Sequence, residues 1–153
     1  WHALEDDVPT DLGATGWQIG DTVRDGVLVD QFGDEVELYQ FFGKIIVIDT
    51  FAEWCGPCRA NAPEGQALWE EAEGEVILFA AMQENQDGSR ADAAGIARWQ
   101  ADFGITHPLM ADPEGLFAPF VNGYPTYAVI GRDLTILEND LWPFDRQWVL
   151  DQL

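Results

Sequence analysis

Basic residues are scarce in this chain of 153 residues. Six arginines and Lys44 face 28 aspartates and glutamates, leaving a formal net charge of −21. A field of that sign repels phosphate backbones and anionic lipid headgroups, so it excludes nucleic-acid binding and leaves basic or neutral partners. Most of the acid reads as a solvated surface that supports solubility. Long hydrophobic runs are also missing: Ile45 to Ile48 is broken by Asp49, far short of the roughly 20 residues a membrane helix needs. Methionine occurs only at positions 82 and 110, and the chain opens at Trp1. That opening reads as a mature form or a trimmed piece, with which any signal peptide or lipid anchor would have been lost. Cysteine is limited to Cys55 and Cys58 and histidine to His2 and His107. A framework of structural disulfides is thereby excluded, and a closed four-ligand zinc site lacks donors.

What is present suffices for a core. Hydrophobic residues make up 47% of the chain, enough for one globular domain over residues 1–153, with 1–20 a loosely ordered, turn-rich lead-in that has an apolar contact near Trp17 and Ile19. Val27–Phe32 and Val36–Tyr39 flank Gly33-Asp34 and predict a β-hairpin. The β-branched run from Lys44 to Phe51 predicts a strand buried on both faces, and a helix follows to about Glu73, stopped by Gly74. Val76–Met82 predicts a second buried strand. A helix is expected from Ser89 as N-cap, with Asp92 in the capping-box place, and Ile96, Trp99 and Phe103 form its core face. A short helical piece is expected over 114–120, then strands at 127–130 and 134–138 around Gly131-Arg-Asp. A closing helix is expected over 142–153, with Pro143 in its first turn. Strand and helix order predicts an α/β domain with a mixed sheet.

The two cysteines stand two residues apart, between a buried strand and a helix. A structural staple usually closes a longer loop, because the entropic gain grows with loop length. The placement instead puts Cys55 at a helix N-terminus, where unpaired N–H groups and the macrodipole favour a thiolate. Cys55 is then the exposed attacker. Cys58, one turn on, is the buried thiol that resolves a mixed disulfide from within. Asp49, set in an apolar strand, is desolvated, so its pKa rises toward that of a base usable near neutrality.

Val47-Ile-Asp-Thr-Phe-Ala-Glu-Trp-Cys-Gly-Pro-Cys-Arg resembles the active-site segment of thioredoxins. The resemblance implies a thioredoxin fold and thiol–disulfide exchange with protein disulfide or dithiol substrates. It also implies a reducing Gly-Pro couple, and Asp49 as the group that takes and returns the Cys58 proton. Tyr124-Pro125-Thr126 is similar to that family's cis-proline loop, so Trp54, Gly56 and Pro57 on one side and Tyr124, Pro125 and Thr126 on the other are implied to hold substrate. The N-terminal hairpin and the long α/β insertion before the cis-proline resemble the TlpA/ResA-like branch, over about residues 20 to 150. That branch implies an extracytoplasmic home in bacteria, periplasmic or facing the periplasm from a membrane tether outside this chain. It further implies an upstream thiol electron donor, a monomer, and no cofactor or metal. Two departures stand out. Asn61 occupies the place of a glutamate common in that branch, which weakens a cytochrome-maturation role. The lysine that thioredoxins set beside the buried aspartate has no counterpart in Leu78–Met82.

Three rival readings are weaker. A thiol peroxidase needs Thr and Pro three and seven residues before its cysteine, where this chain has Ala52 and Ile48. A copper- or metal-binding module would draw on Cys55, Cys58 and His107, but His107 before Pro108 reads as a loop histidine with a backbone partner. A silent adaptor would not be expected to keep Cys55, Cys58, Asp49 and Pro125 together.

Overall fold

The computed structural model describes Trp1 and residues 8–153; residues 2–7, with His2 and part of the lead-in, lie outside the described residues. Along the chain run β1 (Thr15–Gly16), β2 (Thr22–Val23), β3 (Val27–Asp30), β4 (Glu35–Glu37), β5 (Ile45–Ala52), α1 (Gly56–Glu71), β6 (Val76–Glu84), α2 (Ala93–Phe103), β7 (Leu109–Ala111), β8 (Thr126–Ile130), β9 (Ile136–Glu138) and α3 (Arg146–Leu150). β3 to β9 form one mixed sheet in the order β4-β3-β7-β6-β5-β8-β9. β5 pairs parallel with β6 and antiparallel with β8. The expected thioredoxin-type architecture is therefore observed, with the N-terminal hairpin β3–β4 attached through β7.

β5 is central because its side chains are apolar on both faces. Ile46 and Ile48 join Phe41, Phe79, Phe117 and Ile130 on one side. Ile45 and Val47 join Leu68 of α1, Leu78 and Val149 of α3 on the other. Each such buried aliphatic side chain contributes roughly 1.5–3 kcal/mol relative to exposure. A third cluster around Phe51, Met82, Ile96 and Trp99 sits at the C-terminal end of β5 and includes both cysteines.

Several expectations are corrected. α2 begins at Ala93, not at Ser89: Asp92 is the N-cap and its side chain accepts from the Gly95 N–H. The stretch before it is held as a closed loop by a β-bridge between Glu84 and Arg90 and by Asn85 Nδ2 donating to the Arg90 carbonyl. The closing helix is confined to α3, capped by Asp145. Trp142 precedes a proline and is disfavoured in α geometry, and Phe144 is spent packing on Tyr127, with ring centroids 4.4 Å apart. The piece expected over 114–120 shrinks to a 3-10 turn at Ala118–Phe120. Upstream of it the Asp112 carboxylate accepts from the N–H groups of Leu116 and Phe117. Leu134 has a left-handed φ of 68°, so β9 starts only at Ile136. In the lead-in, Val8, Leu12 and Trp17 pack on the core, with the Trp17 ring 4.9 Å from Phe120, whereas Ile19 is exposed.

Candidate active site

β5 ends at Ala52 and the chain turns through Glu53 and Trp54 into α1, which places Cys55 at the helix N-cap in extended geometry, with Pro57 in the first turn. Cys55 and Cys58 are joined in a disulfide, their Cα atoms 5.2 Å apart, and Cys55 Sγ accepts a hydrogen bond from the Cys58 N–H at 3.1 Å. That bond shows what the helix N-terminus offers a thiolate once the disulfide opens: a backbone donor aimed at sulfur, together with the positive end of the dipole. Cys55 was expected to be the exposed member. It is 2% exposed and Cys58 is 3% exposed. In the oxidised pair both sulfur-bearing side chains are covered by one apolar cluster with Phe51 and Ala52, against which Tyr124 packs. Gly56 and Pro57 are exposed beside them.

β8 runs antiparallel to β5 with Thr126 opposite Thr50, so the segment before β8 arrives at the same end of the sheet as the cysteines. The Tyr124–Pro125 bond there is cis. Trp54 is 46% exposed, and its ring meets Tyr124 edge-on with centroids 5.9 Å apart. Thr126 is buried; its hydroxyl donates to the Gly123 carbonyl and accepts from the Asn122 N–H, so its side chain shapes the loop. Trp54, next to Cys55, and Tyr124, which packs on the cysteine cluster, thus form an aromatic pair beside the disulfide.

Asp49 pairs across the sheet with Ala80 on β6 and Tyr127 on β8. By strand alternation it shares a face with Val47 and Phe51, the face that α1 covers. The residue keeps partial exposure, yet its Oδ1 is buried and has no hydrogen-bond partner among the described residues. Burial pushes this carboxyl up to about 8. Tyr127 is pushed upward too, by its own burial first and by Asp49 second. The neighbour in register on β6 is an alanine, so no lysine stands at that place to hold the carboxyl down.

A protein-family model described as Redoxin matches residues 18–151. The chain belongs to the Redoxin family. Among curated relatives, the thiol-disulfide oxidoreductase ResA of Geobacillus kaustophilus is 27% identical over 123 residues, spanning 78% of this chain and 67% of the relative. Two solved structures share the fold. A Chlorobium tepidum protein assigned as the thiol:disulfide interchange protein DsbE has a TM-score of 0.73 at 23% identity, covering 90% of this chain and 96% of that one. The exposed lipoprotein thioredoxin Etrx1 of Streptococcus pneumoniae has a TM-score of 0.69 at 22% identity, covering 84% and 96%. Family, fold and the CxxC pair together make this Redoxin-family chain a thiol–disulfide oxidoreductase.

The sequence reading missed a buried acid beside the pair. Glu53, directly before Trp54, is 4% exposed, and the Arg98 guanidinium of α2 holds it with two bonds of 2.7 Å. The Gln86 N–H adds a third bond, at 2.9 Å. Arg98 keeps the Glu53 carboxyl below the usual carboxylate range, against the opposing effect of burial. This pair ties the active-site turn to α2. The 45-residue separation carried no local signal of it. His107, weighed as a metal ligand, is buried with Nδ1 3.1 Å from the Pro108 carbonyl, and burial lowers it to about 4. Asn61 donates to the Pro57 carbonyl on the exposed face of α1. Among the described residues no group of three or more histidines, cysteines or acids is placed to hold a metal ion.

Proposed function

We propose that the reduced Cys55–Cys58 pair reduces disulfides of other proteins, with Cys55 as nucleophile, Cys58 as resolving thiol and Asp49 as the base that takes the Cys58 proton. The Cys55 thiolate attacks one sulfur of the substrate disulfide, and the other substrate sulfur leaves as a thiolate that takes a proton from water. Cys58 then gives its proton to the Asp49 carboxylate and attacks Cys55 Sγ, and the second substrate sulfur departs as a thiolate that takes this proton back from Asp49. The substrate has gained two electrons and two protons, and the protein is left with the disulfide described above. An upstream dithiol returns the two electrons. A base whose pKa lies near 8 is matched to a thiol of about 8.5, where proton transfer costs little in either direction.

Trp54, Gly56 and Pro57 on one wall and Tyr124 and Pro125 on the other would seat the substrate chain, with Thr126 fixing the loop. The likeness to ResA and to an exposed lipoprotein thioredoxin supports action outside the cytoplasm, on the periplasmic or outer side of a bacterial membrane, with any tether lying beyond this chain. No helix among the described residues is long and apolar enough to cross a membrane.

One observation carries the reading: a disulfide at a helix N-cap whose sulfur already accepts a backbone N–H. Insulin reduction with dithiothreitol as the donor tests it. The wild-type protein should accelerate precipitation of the insulin B chain, and Cys55→Ser should abolish the acceleration; full activity in Cys55→Ser would refute the assignment.

A further inference from the structure

A carboxylate stands against the Trp54–Tyr124 aromatic pair. Trp54 Nε1 donates to Glu84 Oε2 at 2.7 Å, and the Glu84 charge is felt at the Tyr124 phenol, which burial and then Glu84 push upward. Glu84 Oε1 accepts no hydrogen bond, and Glu84 has no cationic partner, among the described residues. The nearby cations are already engaged. Arg98 is committed to Glu53 and Arg90 to Glu114. Arg59 pairs with Asp102 and stacks over Trp99 and Phe103 at 5.5 and 5.0 Å. Two accessible rings beside an uncompensated carboxylate is the arrangement that receives a guanidinium or ammonium group, through ring-face attraction and a charge-assisted hydrogen bond.

We propose that Trp54, Tyr124 and Glu84 form a subsite for a cationic side chain next to the substrate disulfide, so that this centre selects disulfides flanked by arginine or lysine. The proposal rests on the protein-disulfide-reductase reading and names its substrate class. Glu84 is the specificity-determining member, because its charge favours a basic flank and opposes an acidic one, while the rings add a smaller ring-face attraction for the cation. The net charge of −21 draws basic substrates toward the whole surface, so the test must separate that general field from the local group.

The experiment measures single-turnover rate constants of the pre-reduced protein with two disulfide-bridged peptides, identical except for arginine or glutamate beside the cystine, at physiological ionic strength. Glu84→Gln keeps an acceptor for the Trp54 N–H and removes one charge. Glu35→Gln removes one charge from exposed β4, at the edge of the sheet and outside the subsite. The wild-type preference for the arginine peptide should fall roughly five- to tenfold in Glu84→Gln, the size expected of one half-buried ion pair plus its opposite repulsion. In Glu35→Gln it should change less than twofold. An unchanged preference in Glu84→Gln, or an equal fall in Glu35→Gln, overturns the subsite. Failure of the wild-type protein to reduce either peptide, or insulin, would overturn the reductase reading itself.

Discussion

Replacing Asp49 with asparagine should stabilise the oxidised protein, and the gain should grow with pH. In the unfolded chain this carboxyl titrates near its ordinary 3.8, and in the folded protein burial moves it to about 8. Below the lower value it is neutral in both states and costs nothing. Between the two values the unfolded chain has released a proton that the folded protein retains, so folding stability falls as pH rises. Above about 8 the loss is complete. The slope for one such group is about 1.4 kcal/mol per pH unit, which caps the total at about 6 kcal/mol; the partial exposure of the residue reduces that cap. Asparagine cannot ionise, so the difference between variant and wild type should widen by about 1 kcal/mol for each pH unit between pH 5 and 7. Urea unfolding of both proteins with the disulfide intact, at half-unit steps from pH 4 to 9, reads this directly. A difference constant across that range would refute the claim that Asp49 is buried with a raised pKa. The same variant, reduced, should turn over more slowly, because a stabilising change that removes a working base sacrifices function.

Arg98→Ala should destabilise the fold by about 1–3 kcal/mol, since it strips the cation from a nearly buried carboxylate while Arg98 itself is half exposed. Denaturant titration checks this, and stability should fall further as pH drops through the lowered Glu53 pKa in the wild type but less so in the variant. Trp99→Ala should cost about 3–5 kcal/mol, because the ring packs on Phe51 and Phe103 and carries the Arg59 guanidinium; thermal unfolding would show a cooperative but lowered midpoint. The His107 ring should titrate near 4 by NMR, with stability lost as pH falls from about 6.5 toward that value, because only the unfolded chain accepts the proton there. A His107 midpoint near 6.5 would contradict its burial.

Much of this was legible because it is local. The Lys44–Phe51 run, the Gly33-Asp34 turn and the cysteine spacing each depend on neighbours a few residues away, and each appeared within a residue of where the pattern put it, while α1 ends at Glu71, short of the expected Glu73. Asp49 was readable from its apolar flanks alone. What escaped depends on distant partners. Ser89 looks like an N-cap until Asn85 and the Glu84–Arg90 bridge claim the loop around it. Trp142 to Leu153 has helical composition, but Phe144 is drawn onto Tyr127 and the proline keeps Trp142 out of the helix. Glu53 and Arg98, or Trp54 and Glu84, meet only because β5, β6 and α2 converge at one end of the sheet. The burial of Cys55 likewise comes from an apolar cluster drawn from several elements, against which Tyr124 packs from the loop before β8.

The most direct test of the central claim is the covalent intermediate. Reduced Cys58→Ser, mixed with a protein disulfide and quenched with acid, should yield a mixed disulfide that peptide mass mapping places at Cys55. Cys55→Ser under the same conditions should yield none. An adduct on Cys58 in the Cys55→Ser protein, or none on Cys55 in its counterpart, would contradict the assignment of nucleophile and resolving thiol.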